Sequence, residues 1–237
     1  MYGRKPKGQP SWQAVSHWFA HRHPALHIKY KSVITLHLLT FRKRRMRKIK
    51  FSASPADHGA CRIGGCALIG GITAWPTHPN SQEPLTLVAS LEASSLFNSP
   101  VAFKYVSIFS YYSSENYFLD EICYHGSPEE LKDILDGTSR VMLHAEGLPI
   151  SEGHAIPEME MHIEDNDSGL FHGSGVGDAP CLLQHEPLDL AEFEFKLQLY
   201  SSDFPKPFND IFGISDAIGY LYINKKAGTG LFFVQTT

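Results

Sequence analysis

Apolar residues in this chain fall into short blocks that either alternate with polar ones or run on unbroken, with little of the three-to-four spacing of helices. Residues 84–91 and 101–112 are dense in β-branched and aromatic side chains and predict two strands. Residues 117–124 predict the hairpin partner of the second, and 140–145 a further strand. Residues 158–164 alternate cleanly, with Glu158, Glu160, His162 and Glu164 on one side and Met159, Met161 and Ile163 on the other. Residues 193–200 alternate again, placing Phe193, Phe195, Leu197 and Leu199 inward. Residues 181–184 open another strand, and 218–223 with 231–235 flank a glycine-containing loop suited to a hairpin.

One helix is legible in detail. Ser127 is a natural N-cap, Pro128 suits the first helical position and Glu130 completes a capping box. Leu131, Ile134 and Leu135 then share a face, and Gly137 ends the segment. Residues 52–79 and 166–180 are rich in Gly, Pro and small residues and predict loops laid over a surface. The glycines of 173–177 are followed by no Lys-Ser/Thr and no helical pattern, so they predict a flexible loop and not a phosphate cradle. The expected fold class is α+β and strand-dominated: an extended, mostly antiparallel sheet with few short helices.

Composition agrees, with 43% hydrophobic and 12% aromatic residues, a globular balance. No stretch approaches the roughly 20 apolar residues of a membrane span, and residues 32–41 lack the cleavage site of a secretory signal. Four cysteines form no CxxC pair, which predicts free, mostly buried thiols in a reducing cytoplasm.

Charge divides the chain. Residues 1–45 hold ten Lys/Arg and no Asp or Glu, whereas 46–237 hold 11 Lys/Arg against 25 Asp/Glu, a net charge of −14. A basic arm would suit nucleic acid or anionic lipid. The reading preferred here is that residues 1–45 are a poorly ordered or mis-annotated extension. Met46 is then the natural start, opening a single domain over 46–237.

Several landmarks of that domain resemble the YwqG-like family, a bacterial domain-of-unknown-function family. They are Ile63-Gly64-Gly65, Trp75-Pro76 and Glu83-Pro84-Leu85, then Leu182-Leu183-Gln184, and last Tyr220 to Ile223 with Gly230 to Gln235. Ser90 stands where the family's first strand carries Gln. The resemblance implies a sheet built from two related halves, no established enzymatic activity, and an immunity-type role, since such genes are often found beside polymorphic toxins.

Candidate chemistry is sparse. Glu158, Glu160, Glu164, Asp165 and Asp167 put five acids in ten residues with no Lys or Arg among them, a face that could dock a basic protein. His162 between carboxylates, or His154 near Glu158, matches no metal-ligand spacing, so no metal and no cofactor are expected. No GxSxG or HExxH occurs, and no catalytic residue is assigned. Trp75 in its glycine-rich loop is either a core plug or a contact residue for a small ligand or carbohydrate. The leading expectation is a non-enzymatic cytoplasmic protein that binds a basic protein partner, a toxin for example, without engaging nucleic acid or membrane. The alternative is a ligand-binding module, and an enzyme of unrecognised type comes third.

Overall fold

The structure is a computed structural model that describes residues 45–52, 61–70, 74–153, 156–167, 169, 171–185 and 187–237. The basic segment 1–44 lies outside the described residues, as do His154 and the side chain of Asp167.

Ten strands form one antiparallel sheet. In chain order they are β1 (Met46–Ser52), β2 (Arg62–Ile63), β4 (Thr86–Glu92), β5 (Tyr105–Ser110), β6 (Ser139–His144), β8 (Met159–Asp167), β9 (Gly175–Gly177), β10 (Glu194–Tyr200), β11 (Ile218–Asn224) and β12 (Thr229–Gln235). Two short strands, β3 (Ala67–Leu68) and β7 (Pro149–Ile150), pair separately. Across the large sheet the order is β12-β11-β10-β9-β1-β8-β2-β4-β5-β6. The sheet curls until its two edges meet. Ser139 at the start of β6 donates its hydroxyl to Phe232 O of β12, and Val141 fills the space left by the missing side chain of Gly230. The fold is thus a strand-dominated α+β near-barrel. Among the described residues its α-helices are α1 (Ala93–Leu96), α2 (Leu119–Ile122) and α3 (Pro128–Asp133).

One face of the sheet encloses the main core, with Ile63, Leu87, Leu91, Val106, Ile108, Leu197, Leu199, Leu221 and Val234 buried in it. Met159, Met161 and Ile163 join that core, so the alternation of β8 is realised. A second cluster on the other face holds Met46, Phe195, Tyr220, Tyr222 and Phe233 under Leu182, Leu183, Leu188 and Leu190. Phe195 therefore points opposite to Leu197 and Leu199, against the alternation expected of 193–200. The cause is a register shift between Phe195 and Leu197 in the ladder with β11, where Lys196 is the extra residue of a bulge.

Other local expectations divide. Ser127 caps α3 with both halves of the capping box present and Pro128 at the first position. Ile134 is buried after it, but Leu135 is exposed, because the helix passes into a wider turn ending at Gly137 with φ +121°. Residues 119–122 form α2 and not a strand: Phe118 and Ile122, four apart, are both buried, and Asp120 and Glu121 occupy the first turn, where carboxylates are favoured. Residues 181–184 form no strand: the segment is irregular, bends at Leu183 and joins no ladder. Gly175–Gly177 is a strand between β1 and β10 and not a free loop. Its glycines are sterically required, since a Cβ on Gly177 would lie 2.3 Å from Arg45 O.

Among the described residues, no helix is long and apolar enough to cross a membrane.

Candidate functional site

β8 runs through the middle of the sheet, paired with β1 and β2. With Met159, Met161 and Ile163 committed to the core, its other face carries Glu160, His162 and Glu164 toward solvent, level with Lys50 of β1. The acids there are partly matched from within. Lys50 Nζ lies 2.5 Å from Glu164 Oε1, and His162 Nε2 lies 3.3 Å from Glu160 Oε2. Glu158 is drawn toward Arg62, whose Nε is 3.5 Å from Glu158 Oε1.

Arg62 is the most deeply buried cation of the described residues. It is held by the turn that follows β2, with its guanidinium donating to Cys66 O. That turn needs Gly64 and Gly65 at φ +59° and +70°, and a Cβ on Gly65 would meet the Glu158 side chain at 2.9 Å. Of the five predicted acids, then, Glu158 helps to hold a buried arginine, Glu164 pairs with Lys50, and Glu160 and Asp165 face outward.

A second polar group was not foreseen from the sequence. The loop 78–83 closes with His78 N–H on Glu83 O at 2.8 Å, and the His78 ring packs on Tyr111 with centroids 4.4 Å apart. Ser81 N–H reaches His78 Nδ1 at 3.2 Å, which makes Nδ1 the acceptor and leaves Nε2–H to donate to Glu121 at 2.8 Å. Ser81 Oγ lies 3.1 Å from the same Nδ1, so the residue types are those of a Ser-His-Glu relay.

The geometry opposes that use. The lone pair of Nδ1 is already taken by a backbone N–H. The Ser81 hydroxyl also lies 3.2 Å from the Glu83 carboxylate, which would repel an oxyanion forming there. Tyr111 donates to that carboxylate at 3.2 Å, and burial followed by the nearby Glu83 charge raises the phenol pKa. The group clamps the loop onto α2. No pattern in the sequence announces it, because Glu121 comes from a different element.

Trp75 is 5% exposed. Its Nε1–H donates to Leu85 O at 2.6 Å, and its ring meets Phe109 edge-on at 5.0 Å. It fills the core and also backs a surface depression of about 530 Å³, whose other walls include Thr77 and Arg140. No disulfide joins the four cysteines, of which Cys61 and Cys123 are buried and Cys66 and Cys181 half-buried. Cys181 Sγ lies 3.6 Å from His172 Nε2 on the surface. Among the described residues no three His, Cys, Asp or Glu side chains converge as a metal ion would require.

No protein-family model matches the chain, and no curated protein matches it.

Proposed function

We propose that this is a non-enzymatic cytoplasmic interaction protein, related to the YwqG-like family, that docks a protein partner with a basic surface as an immunity protein covers a toxin. The observation that carries the reading is the acidic excess of residues 46–237, a net charge of −14. Such a field repels nucleic-acid phosphates and anionic lipid and speeds encounter with a cationic partner. Glu160 of β8 and the exposed Asp165 offer charge to solvent, with the charges of Glu158 just before the strand and of Glu164 and Asp167 within it adding to the field. Cysteines without disulfides fit a reducing compartment.

The same reading takes the sheet as two related halves. Read inward from either edge, the order is β12-β11-β10-β9 followed by β1, and β6-β5-β4-β2 followed by β8. Each half is a three-stranded meander, a short glycine-flanked strand, then the first strand of the other half. Both meanders carry a register shift at the same place, between Leu87 and Ala89 and between Phe195 and Leu197. The ladders pair Ser90 with Ser107 and Gln198 with Tyr220, and they pair Tyr105 with His144 and Ile218 with Gln235. The buried polar residues Ser90, Ser107 and His144 thus take the places of Gln198, Tyr220 and Gln235. This supports assigning Ser90 to the position of the family's first-strand Gln.

The test is co-purification of the full chain with the product of the gene adjacent to its own. A complex that weakens as salt rises, and weakens further with Glu160→Lys, is the expected result. A folded protein that never retains a cationic partner at low salt would sink the proposal.

A further inference from the structure

The depression of about 530 Å³ beside Trp75 lies between the loop that carries this ring and the strand β6. Its walls are held in place from behind. Trp75 is pinned to Leu85 O, Leu85 N–H donates in turn to Pro76 O at 2.9 Å, and Thr77 bridges Pro84. On the other side, Arg140 stands opposite Phe109 and Met142 opposite Ser107 in the β5–β6 ladder. Residues directly opposite in a ladder share a face, so Arg140 and Met142 lie on the face where Trp75 packs on Phe109. Pro76, Met142 and Leu143 are half-buried and give the walls their apolar part.

Charge sets this depression apart. Of the eight described residues that line it, Arg140 is the only charged one, in a domain whose net charge is −14. The turn before β6 places its guanidinium. Arg140 Nη2 donates to Asp136 O at 3.1 Å, and a Cβ on Gly137 would come within 2.5 Å of the same atom, so the glycine makes room for it. The Asp136 carboxylate is itself engaged by Lys132. The bond to Asp136 O uses one of the five N–H groups of a guanidinium, whose planar fork suits a carboxylate held by two parallel bonds.

We propose that this depression binds a small organic monocarboxylate, with the carboxylate on Arg140 and an apolar body against Pro76, Met142 and Leu143. A volume of about 530 Å³ suits a small molecule. A phosphate ester would call for several cations, and the lining holds one. The acidic excess of the domain does not forbid an anion here, because distant charges are screened over about 10 Å at 0.1 M salt whereas Arg140 acts at contact. The site stands independently of β8, whose residues line no part of it.

The experiment follows methionine methyl signals of the isotope-labelled full chain by NMR. The chain has five methionines, and Met142→Leu identifies the signal of interest. The probes are hexanoate, 4-phenylbutyrate and indole-3-acetate, each titrated beside its uncharged amide. At least one carboxylate should shift the Met142 methyl saturably, and its amide should bind about tenfold more weakly, the loss expected when a charge-assisted pair is removed. Arg140→Gln should erase the difference between acid and amide, while Lys226→Gln, a cation outside the lining, should leave it unchanged. Arg140 and Lys226 are both exposed, and circular dichroism checks that the variants are folded.

Equal binding of acid and amide, or carboxylate binding that survives Arg140→Gln undiminished, would overturn the role of Arg140 and with it the ligand class. Binding that shifts other methyls and leaves Met142 unmoved would overturn the location. No saturable shift at Met142 with any carboxylate at millimolar concentration would overturn the site.

Discussion

Ser107 and His144 meet across the β5–β6 ladder with Oγ and Nε2 2.8 Å apart, and both are buried. The other ring nitrogen lies 2.7 Å from Ala145 O, which fixes the tautomer. Nδ1 carries the proton and donates to the carbonyl, so Nε2 accepts from the Ser107 hydroxyl. Ser107 Oγ is then free to accept from Ser90 at 3.0 Å. Side chains from three adjacent strands satisfy one another. Burial pushes the His144 pKa below the ordinary histidine range, against the opposing pull of the Ala145 carbonyl.

Stability should therefore carry a directional pH dependence. The unfolded chain takes up this proton near the free histidine value of about 6.5, the folded chain only at lower pH. The contribution is complete above that value and is lost as the pH falls below it. His144→Gln keeps hydrogen-bonding groups but cannot titrate. Urea midpoints measured on either side of that pH should differ less in the variant than in the parent. Equal differences would show that other groups set the acid sensitivity.

Gln198 holds the segment that roofs the second cluster. Its Oε1 accepts from Cys181 N–H at 3.0 Å, and its Nε2 donates to Phe171 O at 2.9 Å and Gly173 O at 2.7 Å. Gln198→Leu keeps the bulk and strands three backbone groups, each loss costing about 1–3 kcal/mol where water cannot replace it. Hydrogen exchange at Cys181 should accelerate well beyond that at β11. A uniform acceleration would mean that the roof and the sheet open together.

Gly177 and Gly228 separate close packing from backbone strain. A Cβ on Gly177 would meet Arg45 O of the neighbouring chain segment at 2.3 Å, which cannot yield without moving the strand. Gly228 has open space around its Cβ position but φ +65°. Gly177→Ala should cost more than Gly228→Ala, whose penalty is the about 1–2 kcal/mol of a left-handed side-chain-bearing residue. Melting temperatures in the reverse order would mean that β9 relaxes away from β1.

Signals carried within a few residues were legible in the sequence. Met159, Met161 and Ile163 alternate because β8 is regular, and Ser127 with Glu130 caps α3 through a local exchange of hydrogen bonds. What escaped depends on distant partners. Lys196 bulges because of its pairing with β11, so the alternation of 193–200 misassigned Phe195. Gly175–Gly177 reads as a loop by composition and becomes a strand because β1 and β10 pair with it on either side. His78 finds Glu121, 43 residues away, only in the folded chain, and no spacing along the sequence encodes that meeting.

The thiols should react in an order set by burial. Cys123 is buried where its backbone bridges Val234 of β12, and its pKa is pushed up to about 12 by burial first and then by the charges of Glu130 and Asp120. Burial also raises Cys61, against a hydrogen bond to Ser95 that works the other way. Since the thiolate is the reactive form, neither should alkylate in the folded protein near neutral pH. Cys66 and Cys181, only half-buried, should take up iodoacetamide first, and Cys61 and Cys123 should follow only in denaturant. Peptide mapping of time points resolves the four sites. Early labelling of Cys123 would show that the segment along β12 opens before the sheet does, which would place the weakest point of the near-barrel at its seam.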